Sequence, residues 1–144
     1  MGKTPIVNNP ALGCFILTYF VNEYHKKSDK RKSPSLNEIL LILPMIWHAP
    51  TRGILLKRRT TTNFQYIVDN DPLIFERLSE RVSAYSKITF QSLNIAVSTN
   101  LLVYNGSEGV FQFLLGSMPY GTGIEKKAQT DIIRTVAKLA SWFK

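Results

Sequence analysis

The chain has 144 residues, 44% of them hydrophobic, and a formal net charge of +8 from 18 Lys and Arg against 10 Asp and Glu. That is the length and composition of one globular domain, able to bury a core without disulfide or metal. The single cysteine, Cys14, excludes an internal disulfide framework and a cysteine-based zinc site. The basic balance favours acidic partners: nucleic acid, an acidic protein face or a membrane surface.

Asn8-Asn9-Pro10 reads as a helix start, with Asn9 as cap and Pro10 at the first helical position, where a missing N–H costs nothing. Leu12, Phe15, Ile16, Tyr19, Phe20 and Tyr24 then recur at three- and four-residue spacing, so an amphipathic helix is expected. The charged segment Lys26–Pro34 has nothing to bury and reads as an exposed loop. Ser35 with Glu38 forms a capping-box pattern ahead of Leu36–His48, which is apolar nearly all round and should be kinked or split by Pro44. Its longest apolar run, Ile39–Trp47, is far short of the roughly 20 residues that a spanning helix needs. Together with an N-terminus lacking signal-peptide character, this predicts a cytoplasmic protein that uses no membrane. Pro50 is expected to close the segment, and Thr51–Asn63 to form a short strand and a loop.

Asp71-Pro72 opens the next predicted helix, with Leu73, Phe75, Leu78, Val82 and Tyr85 inward. Ser86-Lys87-Ile88 reads as a turn, and Thr89 as the cap of a further helix to about Leu102, with Phe90, Leu93, Ala96, Val97 and Leu101 buried. Two apolar runs around Asn105-Gly106 predict a β-hairpin. After a linker, Gly116–Gly123, a last amphipathic helix is expected over about 124–143. The expected fold is therefore mainly α (α+β): a single domain, 1–144, with a degenerate winged helix-turn-helix over about 71–115, one β-hairpin and a C-terminal helix.

Catalysis finds little support. His25 stands at the foot of the charged loop, and His48 at a helix end, where it would bond free carbonyls. There is no HxxxH, no GxGxxG and no GxxxxGK[ST], so neither enzyme activity nor a metal or cofactor is expected. DNA reading by the predicted second helix is also disfavoured. Thr89–Leu102 carries no charged residue, and the wing adds only Glu108, so counterion release there would be small.

The positive charge lies instead at Lys26–Lys32 and at Arg52, Lys57, Arg58 and Arg59, the latter four without an intervening acid. Such clusters suit phosphate or an acidic protein face, or simply solubility. Phe64, Tyr66, Phe111, Phe113, Trp142 and Phe143 suit either core closure or partner contact. The residues expected to touch a partner or nucleic acid are Arg52, Lys57, Arg58, Arg59, Phe111, Phe113, Trp142 and Phe143.

Three stretches carry a family resemblance. Asn8-Asn9-Pro10-Ala11-Leu12-Gly13 opens an aromatic helix, a proline-broken leucine-rich helix runs into His48-Ala49-Pro50-Thr51-Arg52, and the chain closes on Ala137-Lys138-Leu139-Ala140-Ser141-Trp142-Phe143. In this order, with the 89–102 segment and hairpin between, they resemble the middle component of three-component ABC-ATPase systems, the anti-phage systems of the Lamassu kind. The resemblance implies a non-catalytic adaptor between an SMC-like ABC ATPase and an effector such as a nuclease, reaching DNA only indirectly through the complex. The alternative is a winged-helix DNA-binding transcriptional regulator.

Overall fold

The computed structural model describes residues 9–114 and 130–144. Helix α1 (Pro10–Lys27) starts as the sequence predicts: Asn9 Oδ1 accepts from the Ala11 N–H at 2.9 Å and the Leu12 N–H at 3.3 Å. The predicted stripe is buried except for half-exposed Tyr19, and Cys14, Leu17, Thr18 and Val21 are buried as well. A helix enclosed on nearly every side is a core helix. The other long helices, Leu78–Ser98 and Thr130–Phe143, pack against it.

Ser35 and Glu38 form the predicted capping box at α2 (Leu36–Ile39). Pro44 lacks the N–H that would meet the Leu40 carbonyl, and the helix breaks there, resuming as α3 (Ile42–Ile46). The expectation that Pro50 ends this region, with a strand and loop to follow, is corrected. The chain turns through 100° and enters α4 (Ala49–Lys57), with Pro50 in its first turn, where helical N–H groups have no acceptor to lose. His48 caps this new helix and does not close the previous one. Its Nδ1 accepts from the Thr51 N–H at 3.4 Å and lies 2.7 Å from Thr51 Oγ1. A further helix, α5 (Phe64–Asn70), begins at Asn63, whose Oδ1 accepts from the Gln65 N–H at 2.7 Å. Asp71-Pro72 does not cap an α-helix; it leads into a 3-10 turn, Pro72–Phe75, that leaves Leu73 exposed.

The helix-turn-helix is replaced by one continuous helix, α6 (Leu78–Ser98). Ser86-Lys87-Ile88 contains neither Gly nor Pro, and nothing in it interrupts the backbone ladder. Thr89 is not a cap: it is fully buried in mid-helix, within the stripe that includes Ile88, Ser92, Leu93 and Ala96. The continued helix also rotates Phe90 and Val97, expected inward, to the surface. With no turn between two helices, residues 71–114 do not form the predicted helix-turn-helix.

Helix α6 ends where Asn100 adopts φ +63°. The Leu101 N–H bonds the Ala96 carbonyl and the Asn100 N–H bonds that of Val97, the crossed pair of a left-handed helix stop. The predicted hairpin follows as β1 (Leu102–Asn105) antiparallel to β2 (Val110–Phe113), with Tyr104 opposite Phe111. Asn105 Oδ1 accepts from the N–H groups of Ser107 and Glu108, and Gly109 supplies the φ of +70° that closes the loop. The final helix, α7 (Thr130–Phe143), buries Ile132, Val136 and Leu139 as expected. The predicted linker at 116–123 and the proposed start of this helix at 124–129 lie outside the described residues.

Candidate partner-docking surface

The four cations singled out in the sequence do not form one patch of free charge. Arg52 is structural: its guanidinium donates to the Ile46 carbonyl at 2.7 Å, closing the end of α3. Arg58 is held by Asp71, with Nε donating to Oδ2 at 2.8 Å, and its guanidinium lies 5.3 Å from the centre of the Tyr66 ring. The hydrogen bond from Arg58 to Asp71 leads the causes that hold the Arg58 pKa above its ordinary value. Lys57 and Arg59 are exposed. Self-repulsion in this basic run is thus relieved by Asp71 and by helix-end carbonyls, which favour cations.

Lys138, on α7, completes this corner. Its ammonium donates to the carbonyls of Leu56 at 2.8 Å and Arg58 at 2.6 Å, and at 3.3 Å to that of Leu55, capping α4 from outside. Burial, then the nearby Arg134, lower its pKa. Lys57, Arg58, Ile54 and Asp71 line a cleft of about 260 Å³. Exposed Tyr66 lies beside it, under the Arg58 guanidinium. Cations, a carboxylate and an exposed aromatic thus meet at this cleft.

The aromatic residues expected to reach partners are engaged by their own chain. Trp142 donates its indole N–H to the Thr62 carbonyl at 3.1 Å, and its ring centre lies 5.6 Å from that of Phe64. Phe143 meets Phe64 and Phe20 edge-on at 5.6 and 6.3 Å. Phe111 is buried, 4.9 Å from the Tyr104 ring, and half-buried Phe113 packs against the core. These contacts tie α7 and the hairpin to the body of the domain.

Among the described residues, the exposed large apolar side chains are others: Tyr66, Leu73, Phe90, Val97, Val103, Tyr104 and Leu114. The unbroken i, i+7 relation of Phe90 to Val97 could have placed them together on one outer face, but the supposed turn at 86–88 obscured it. The expected loop starts later than predicted: Lys26 and Lys27 lie in the last turn of α1 and both pair with Glu23 at 3.4 Å, while Lys30, Arg31 and Lys32 beyond it are exposed.

Among the described residues, no group of three or more His, Cys, Asp or Glu could hold a metal ion, and no single helix is long and apolar enough to cross a membrane. Cys14 is buried, and burial pushes its thiol pKa up, away from the reactive range of a nucleophile.

Residues 3–144 match the family model described as ABC-three component (ABC-3C) system Middle Component 3, MC3. No curated protein and no solved structure matches the chain.

Proposed function

The chain belongs to the MC3 family of ABC-three component system middle components, and on that premise we propose that it is a non-catalytic adaptor in a bacterial anti-phage complex of the Lamassu kind. It docks on an SMC-like ABC ATPase and holds an effector, such as a nuclease, in check until foreign DNA is sensed. It works in the cytoplasm and meets DNA only through the assembled complex. The observation that carries this reading is the family match, which spans the domain from α1 to α7.

The surface supports it in two ways. Lys57 and Arg59 project from a corner whose other cations are already engaged, so an acidic face of the ATPase would neutralise them with little rearrangement. Trp142, Phe143, Phe111 and Phe113 hold the docking elements rigid, which lowers the entropy cost of association.

The test is a binding titration of the full chain against the co-encoded ATPase at rising salt. Lys57→Ser with Arg59→Ser should weaken binding by about tenfold at low salt and flatten its salt dependence, with unchanged helicity. Arg58 is left intact because its loss would disturb Asp71 as well as the interface. Unchanged affinity and salt slope in the double variant would remove the basic corner from the interface.

A further inference from the structure

A second cleft, of about 220 Å³, opens between the end of α1 and the hairpin. His25 and Ser33 line one side, and Val103, Gln112, Phe113 and Leu114 the other. Val103 stands opposite Gln112, and the Leu114 N–H bonds the Leu101 carbonyl, so alternation puts Val103, Gln112 and Leu114 on one face of the hairpin. That face is open: Val103 is 37% and Leu114 50% exposed, whereas Leu102 and Phe111 on the other face are buried. The space is smaller than the roughly 300–1,000 Å³ of small-molecule sites, and it suits one large side chain.

The side that carries His25 and Ser33 is cationic and held in place. His25 Nδ1 donates to the Lys32 carbonyl at 3.1 Å, and Ser28 Oγ accepts from the Lys32 N–H at 3.0 Å and donates to the His25 carbonyl at 2.9 Å. These bonds hold Asp29 and Lys30 at φ of +57° and +62°, a region that non-glycine residues rarely enter. The loop so fixed carries exposed Lys30, Arg31 and Lys32, and among the described residues none of the three forms an ion pair. Asp29 is the single acid between Ser28 and Pro34, and no residue lining the cleft is acidic. The nearest acids along the chain are engaged: Glu23 by Lys26 and Lys27, and Glu38 by the Tyr24 hydroxyl at 3.0 Å and the Ser35 N–H at 3.0 Å. A positive, pre-ordered rim thus stands beside an apolar floor.

We propose that this cleft receives an acidic segment of another subunit of the three-component system, which seats one large apolar side chain against Val103 and Leu114 while its carboxylates meet Lys30, Arg31 and Lys32. This rests on the adaptor reading above. The local charge selects the carboxylates, and the fixed loop lowers the entropy cost of meeting them. Nucleic acid is the less suited occupant, because Val103 and Leu114 offer neither charge to a phosphate nor a ring face to a base. A second copy docked through the same face would set cations against cations.

The experiment is photo-cross-linking from a benzoylphenylalanine that replaces Leu114, in the complex purified with its co-encoded subunits, together with binding titrations of the full chain against those subunits. The cross-linked peptide should come from another subunit and carry at least two carboxylates around an apolar residue. Arg31→Ser with Lys32→Ser should weaken assembly by about tenfold at low salt and flatten its salt dependence. Leu114→Ser should weaken it by about tenfold with the salt dependence unchanged. Lys57 and Arg59 stay native in both, so the basic corner described above does not contribute to the difference. A cross-linked peptide without carboxylates, or a link to DNA, to a second copy or within the same chain alone, overturns the choice of occupant. An intact complex with no link at position 114 and unchanged affinity in both variants overturns the cleft as an interface and leaves the adaptor reading standing. Failure of the native chain to assemble with any subunit overturns the adaptor reading itself. Should Leu114→Ser lose helicity, the identity of the cross-linked peptide still decides.

Discussion

Gly13 on α1 lies so close to Ser92 on α6 that a Cβ added at position 13 would overlap the Ser92 hydroxyl. The hydroxyl is itself buried and donates to the Ile88 carbonyl at 2.7 Å, so moving it aside breaks a bond. Gly13→Ala should therefore lower stability by about 1–2 kcal/mol, the overpacking cost exceeding the gain in helix propensity. Ser92→Ala removes the obstructing atom, and in its presence Gly13→Ala should become neutral or stabilising. Urea unfolding of the four chains of this cycle measures the coupling; additive effects would mean that α1 and α6 do not meet at this point.

His48 makes the fold pH-dependent. Burial, then the positive charge of Arg81, lower its pKa from the ordinary 6.5 against an upward pull from Glu76, and its Nδ1 must be unprotonated to accept from Thr51. The unfolded chain therefore binds the proton more readily. The contribution of His48 is complete above about pH 6.5 and is lost progressively as the pH falls from there to the folded pKa. Asn is a good cap without a titration, so the fall in Tm between about pH 7.5 and 5.5 should be smaller in His48→Asn. An identical fall in both chains would assign it to other groups.

Lys138 joins α7 to α4 through three carbonyl oxygens, although burial and Arg134 act against its charge. The geometry weighs more, because removing the ammonium leaves part-buried acceptors without a donor. Lys138→Met should cost about 1–3 kcal/mol. Exposed Arg134→Met should cost within roughly 0.5 kcal/mol, as surface substitutions usually do. Equal losses from the two would reduce Lys138 to a solvated surface charge.

What could be read from the sequence was local. Asn9-Pro10, the Ser35–Glu38 box, the Pro44 break and Asn105-Gly106 each encode their structure within four residues, and each is found where expected. What could not be read depended on distant partners. Thr89 has the residue type of a cap, but it sits on a buried stripe that only the neighbouring helices define. Arg52, Arg58 and Lys138 look like free cations until the carbonyls and carboxylate that hold them are brought near from elsewhere in the chain. The same holds for Trp142, whose partner Thr62 lies in a segment without regular structure. Exposed Phe90 and Val97 could be placed on one outer face only once α6 was known to be continuous.

The most direct test of the adaptor account is the native mass of the assembly recovered through a tag on this chain, from cells expressing the whole three-component system. The expected result is a stable complex containing this chain, the ATPase and the effector together, and an ATPase and effector that no longer associate once this chain is deleted. Recovery of the chain alone, or of an ATPase–effector complex that forms equally well without it, would contradict the account.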